Sequence, residues 1–120
     1  MLILVVDDDP LAGEMTAALL ESQGHNTLLA SDAMEAVEQL DAHSDIKLIV
    51  SDMHMPLVSG LALLEMLREQ DNHLPFILLT GDTPDTTLQQ TPGLNACLRK
   101  DAELAWNLDA AVKQTLALNG

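Results

Sequence analysis

Five side chains suited to cation or oxyanion chemistry follow short apolar runs. Asp7 and Asp8 come after residues 2–6, Asp52 after 46–50 and Ser51, Thr80 after 75–79, and Lys100 after 95–98 and Arg99. Carboxylates crowded without a cation repel until at least one takes up a proton. A hard divalent ion removes that conflict. Mg2+ favours oxygen ligands, keeps several of its waters, and typically uses few carboxylates plus a phosphate. A lysine ammonium adds a compact point charge, and a threonine hydroxyl rotates to meet a nearby oxygen. No His or Cys stands at zinc-ligand spacing, so a soft-metal site has no support. Singly these residues say little, and their weight depends on a fold that gathers them.

The intervening pattern supplies such a fold. The run 2–6 is continuously apolar and ends in acids, as a fully buried strand would. Asp9-Pro10 offers an N-cap followed by proline at the first helical position. Leu11, Met15, Ala18 and Leu19 then recur at helical spacing up to Gly24. Residues 25–30 read as a second strand, and Ser31 or Asp32 caps a helix carrying Met34, Val37 and Leu40. The third strand is 46–50. Pro56 and Gly60 punctuate the loop before a helix at 61–69, whose Leu64 and Leu67 face inward. The fourth strand is 75–79. A short, weak helix is expected from Asp82-Thr83-Pro84, because Thr86, Thr87 and the Thr91-Pro92-Gly93 turn oppose a long one. The fifth strand is 95–98, and 101–118 forms the last helix around Leu104, Leu108, Ala111 and Leu116. Strands alternating with helices imply right-handed crossovers and a parallel sheet covered on both faces. Ligands bind such sheets beyond the carboxyl ends of the strands, where all five residues fall.

Composition agrees and excludes alternatives. The 120 residues suit one domain and are 48% hydrophobic, almost entirely aliphatic, with Phe76 and Trp106 the only aromatics. Such a core suits helices on a buried parallel sheet. It does not suit an aromatic surface for single-stranded nucleic acid. Nineteen acids against five bases give a formal charge of −14, a field that repels nucleic-acid backbones and anionic lipid. Direct nucleic-acid or membrane binding is therefore not expected. Cys97 is the single cysteine, which fits a reducing compartment. The N-terminal apolar run is too short for a signal or a spanning helix. The expected location is cytoplasmic.

The stretches VVDDDP, IVSDMHMP followed by Gly60, LLTGD and CLRK resemble the response-regulator receiver family of two-component signalling, across the whole chain and without a major insertion. The resemblance implies an α/β, flavodoxin-like (βα)5 three-layer sandwich with a five-stranded parallel sheet in the order 2-1-3-4-5; a chemotaxis member of this family is a standard illustration of that order. It implies a single receiver domain over 1–120 with no output domain. Asp52 would accept a phosphoryl group from a histidine kinase or phosphotransfer protein. Asp8 would bind Mg2+ (or Mn2+) directly, Asp7 mainly through a metal-bound water, and Asp52 and the His54 backbone carbonyl would complete the protein's ligands. Thr80 and Lys100 would bind phosphoryl oxygens and carry the switch. The reader of that switch would be a downstream protein target or a missing output domain, and a phosphorylation-dependent dimer is a further partner that the resemblance allows.

Two positions depart from the family pattern. Cys97 stands where an aromatic usually precedes the lysine by three residues, and Asp101 stands where proline usually follows it. A cis bond before a non-proline residue costs about 2.5–4 kcal/mol, so a differently shaped loop is expected at Lys100. His54 at the mouth of the site and Asp82, a helix cap or a mouth acid, are candidate modulators with Cys97 and Asp101. Asp9 reads as a helix cap, not a ligand. His25, His43 and His73 read as solvated, Cys97 as core, and the methionines at helical spacing as core filler. Trp106 is left open between packing and partner contact. Two other functions remain. An aspartyl-phosphate phosphohydrolase would need a second Asp two residues after the nucleophile, where His54 stands. A pseudo-receiver would use the same fold as an interaction module without phosphorylation.

Overall fold

Each apolar run forms its strand in the computed structural model, which describes residues 1–55, 57–81, 91 and 93–119, for 116–119 the backbone alone. The strands are β1 (Leu2–Val6), β2 (Asn26–Ala30), β3 (Ile46–Asp52), β4 (Phe76–Thr80) and β5 (Ala96–Arg99). The helices among the described residues are α1 (Pro10–Ser22), α2 (Ala33–Ala42), α3 (Gly60–Glu69) and α4 (Leu104–Asn119). The expected weak helix after Asp82, together with Pro56, Pro92 and the Leu116 side chain, lies outside the described residues.

All neighbouring strands pair in parallel, in the order β2-β1-β3-β4-β5. That is the flavodoxin-like arrangement. Because side chains alternate along a strand, each central strand feeds two cores. Leu4, Val6, Ile49, Phe76 and Leu78 meet Ala36 of α2 and Leu63, Leu64 and Leu67 of α3. Ile3, Val5, Leu48, Val50, Ile77 and Leu79 meet Ala17 and Leu20 of α1 and Leu108 and Val112 of α4. Burial on both faces explains why β1, residues 48–50 of β3 and residues 76–79 of β4 read as unbroken apolar runs.

Caps set the helix boundaries. Asp9 Oδ1 accepts from the amides of Leu11 at 3.0 Å and Ala12 at 3.4 Å, and Asp32 Oδ1 accepts from Glu35 at 2.7 Å. Asp9 is therefore a cap, as its position before Pro10 implies, and Asp32 rather than Ser31 caps α2. We expect Asp9→Ala to lower stability by about 1 kcal/mol in urea titration while Mg2+ affinity stays unchanged. Loss of Mg2+ affinity would instead give Asp9 a part in the site.

The helix faces hold a correction. Leu11 and Met15 of α1 and Met34 of α2 are exposed, so neither methionine is core filler. Small residues take the inner face instead: Gly13, Thr16 and Ala17 with Leu20 on α1, Ala33 and Ala36 on α2. They let the helices lie close to the sheet, which turns the longer side chains outward. Trp106 is 81% exposed. His25 also departs from the solvated reading, because its Nδ1 is buried without a hydrogen-bond partner. Burial and the Met1 ammonium push its pKa down, against an opposing pull from Asp109. His73 stands in solvent, with Nε2 2.7 Å from Asp71 Oδ1.

Candidate functional site

The carboxyl ends of β1, β3, β4 and β5 share one edge of the sheet. Asp7 continues the column of Ile3 and Val5, and Asp52 that of Leu48 and Val50, so both acids rise from the face that packs on α1 and α4. Both are buried, whereas Asp8 is exposed. One carboxylate oxygen from each of Asp7, Asp8 and Asp52 lies within 4.8 Å of the others. Oxygens on an octahedral Mg2+ with bonds near 2.1 Å stand about 3–4 Å apart. The acids thus need only a small closure to share one ion, and their all-oxygen donor set fits a hard cation.

The ammonium of Lys100 is already among them. Its Nζ is 3.1 Å from Asp7 Oδ2 and 3.0 Å from Asp52 Oδ1. Burial disfavours this charge and is the largest single influence, but hydrogen bonds and attraction from Asp52 and Asp7 together outweigh it. The Lys100 pKa is raised. The Lys100 amide donates to the Thr80 carbonyl at 2.8 Å, which ties the end of β5 to that of β4. Thr80 itself is buried. Side-chain distances therefore join residues 7, 8, 52 and 100, and a backbone bond brings residue 80 to the same edge.

The candidate modulators divide. His54 is exposed just past Asp52, whereas Asp82 lies outside the described residues. Cys97 is half-buried against the core that holds Phe76. Asp101 is occupied in entering α4: its Oδ1 accepts from Glu103 N at 3.0 Å and its carbonyl from Leu104 N at 3.1 Å. The peptide bond from Lys100 to Asp101 is trans, and Lys100 still reaches both acids.

Two residues at this edge have roles that sequence reasoning missed. Ser51 is fully buried, and its hydroxyl donates to the Asp52 carbonyl at 3.0 Å. A hydroxyl between the apolar run 48–50 and Asp52 was the available signal. Gly60 is more than loop punctuation. A Cβ there would land on the Asp52 carbonyl oxygen and stand 2.6 Å from Leu78 Cδ1. The Gly60 amide also donates to the Met53 carbonyl at 2.9 Å, so α3 starts directly against the end of β3. We expect Gly60→Ala to cost about 1–3 kcal/mol through overpacking, read as a lower urea midpoint. An unchanged midpoint would show that the contact relaxes freely.

Beside Lys100 opens a cleft of about 340 Å3 between α1 and the start of α4, with Ala12, Met15, Leu19, Leu104 and Ala105 on its walls. Its lining is largely apolar, and Lys100 and Asp101 also contribute to it.

Comparison with known proteins agrees with this geometry. A family model described as the response regulator receiver domain matches residues 3–112. Over 106 residues the chain is 36% identical to the CAI-1 autoinducer sensor kinase/phosphatase CqsS of Vibrio cholerae, covering 84% of this chain but 15% of that protein. It is similar in structure to a response regulator receiver domain protein from Clostridium thermocellum, with a TM-score of 0.86 and 29% identity over 98% of this chain and 95% of that one. It is also similar to the response regulator TrrA from Thermotoga maritima in complex with Mg2+-BeF, with a TM-score of 0.84 and 25% identity over 95% of this chain and 97% of that one. No helix among the described residues is long and apolar enough to cross a membrane.

Proposed function

Because the chain belongs to the response regulator receiver family, we propose that residues 1–120 form one receiver domain that accepts a phosphoryl group on Asp52 and passes the signal on as altered partner binding. One observation carries the reading. Three carboxylates meet at the sheet edge with a single ammonium between two of them.

The chemistry follows from the side chains. An Asp52 carboxylate oxygen attacks phosphorus in line, and the bond from phosphorus to the donor's imidazole nitrogen breaks. The electron pair leaves with the imidazole. Asp8, Asp52 and the His54 carbonyl would hold Mg2+, or Mn2+ in its place, with Asp7 acting through a bound water. When bound, the ion offsets charge on the equatorial oxygens. Lys100 turns its ammonium from the Asp52 carboxylate to a phosphoryl oxygen, and Thr80 directs its hydroxyl to another. The added charge and acceptor oxygens then reset the surroundings of Thr80 at the end of β4. The chain supplies these groups itself, so it promotes its own phosphorylation and dephosphorylation.

The donor is a histidine kinase or phosphotransfer protein, and the cleft beside Lys100 gives it an apolar foothold next to the reacting atoms. The reader is a downstream protein or an output domain. The test uses acetyl phosphate and, separately, a phosphorylated histidine phosphotransfer protein. Intact-mass measurement should show one phosphoryl group gained with Mg2+ and none with EDTA. Multiple turnover of phosphate monoesters would favour a phosphohydrolase instead, and no adduct at saturating donor would favour a non-phosphorylated interaction module.

A further inference from the structure

We propose that Ser51 is a positioning residue for Asp52, holding the peptide after the acceptor through its hydroxyl. The inference rests on the reading of Asp52 as acceptor and adds a residue to it.

Ser51 breaks the pattern of its own strand. It faces the core side with Ile49, and its register partners on either side are Val6 of β1 and Leu78 of β4. All three are essentially inaccessible, as is Ser51. A buried hydroxyl is retained at such a place only when it finds a partner. The partner is the Asp52 carbonyl, 3.0 Å from Ser51 Oγ.

That carbonyl sits where β3 runs past its pairing with β1. The β1–β3 register ends at Val6 with Ser51, so Asp52 lies one residue past the last paired position on that side. On the other side the ladder continues, with the Met53 amide donating to the Leu79 carbonyl at 2.7 Å. The Asp52–Met53 peptide is thus anchored by one strand only. Two contacts supply the missing constraint: the Ser51 hydroxyl and the bare Cα of Gly60, whose absent Cβ would occupy the carbonyl's place. Together they fix the peptide plane from which the carboxylate projects toward Lys100. A nucleophile displaced by a fraction of an ångström loses rate without losing its fold. The cost should therefore appear in the phosphorylation rate at saturating metal.

Ser51→Ala removes the hydroxyl, Ser51→Thr restores it, and Ser51→Cys keeps the volume with a weaker donor. We would measure the rate of Asp52 phosphorylation by acetyl phosphate against Mg2+ concentration, separating maximal rate from half-saturation, with urea midpoints alongside. The expected result is a roughly tenfold lower maximal rate for Ser51→Ala, as for loss of one hydrogen bond, with recovery in Ser51→Thr and an intermediate rate in Ser51→Cys. A lowered midpoint with the wild-type maximal rate would reduce Ser51 to packing and overturn the inference. If Ser51→Ala does not fold, the Ser51→Cys rate decides in the same way. A wild-type chain that takes up no phosphoryl group would defeat the acceptor reading as well, which separates the two failures.

Discussion

Asp52→Asn should abolish phosphoryl uptake, by a factor on the order of 10^3 or more, because the variant lacks the nucleophilic oxyanion. The amide preserves the size of the side chain, so the two cores beneath it should survive and the circular dichroism spectrum should stay unchanged. Mg2+ affinity should fall in parallel, since Asp52 supplies one of three carboxylate oxygens that lie within 4.8 Å of one another. Acetyl phosphate labelling and an Mg2+ titration on the same sample check both effects. Labelling at the wild-type rate would move the acceptor to another residue.

Lys100→Met should act most strongly on stability in the absence of metal. The ammonium stands 3.1 and 3.0 Å from two acids whose side chains are 3% and 11% exposed. Removing one partner of a buried pair leaves uncompensated charge at a cost of several kcal/mol, reduced here to about 2 because Lys100 is partly solvated. The pH dependence has a definite sign. Lys100 has a folded pKa raised above its ordinary 10.5, so its contribution is complete below that value. It disappears as the pH climbs through the raised folded pKa. The stability gap between wild type and Lys100→Met should therefore be constant near neutrality and close in strongly alkaline solution. Mg2+ should narrow the same gap near neutrality, by replacing one cation with another between the acids. Thermal melts with and without Mg2+ measure this. A variant as stable as wild type in EDTA would show that the ion pair contributes nothing.

The site was legible because its parts are tied to strand ends. Apolar runs of strand length announced β1, β3 and β4, and in a parallel sheet the residue after each run must lie at the common edge. That is why Asp7, Asp52 and Lys100, more than 40 positions apart, meet within hydrogen-bond distance. Helix faces were less legible. Periodicity alone placed Leu11 and Met15 with the apolar set, yet α1 approaches the sheet through Gly13, Thr16 and Ala17. Close packing, which residue type alone does not specify, decided the matter. Ser51 and Gly60 are hard to read from sequence for a related reason: their importance comes from a backbone carbonyl, a group that every residue carries. The exposed Leu57 adopts φ 69° in the loop before α3, a conformation unfavourable for a branched side chain that no sequence pattern announced.

The most direct test is to locate the modified residue. The chain is treated with acetyl phosphate and Mg2+, reduced with borohydride so that an aspartyl phosphate becomes homoserine, digested, and sequenced by tandem mass spectrometry. The account predicts homoserine at position 52 and nowhere else, with none when EDTA replaces Mg2+. Homoserine at another acid, or a chain left unmodified at saturating donor and metal, would contradict it.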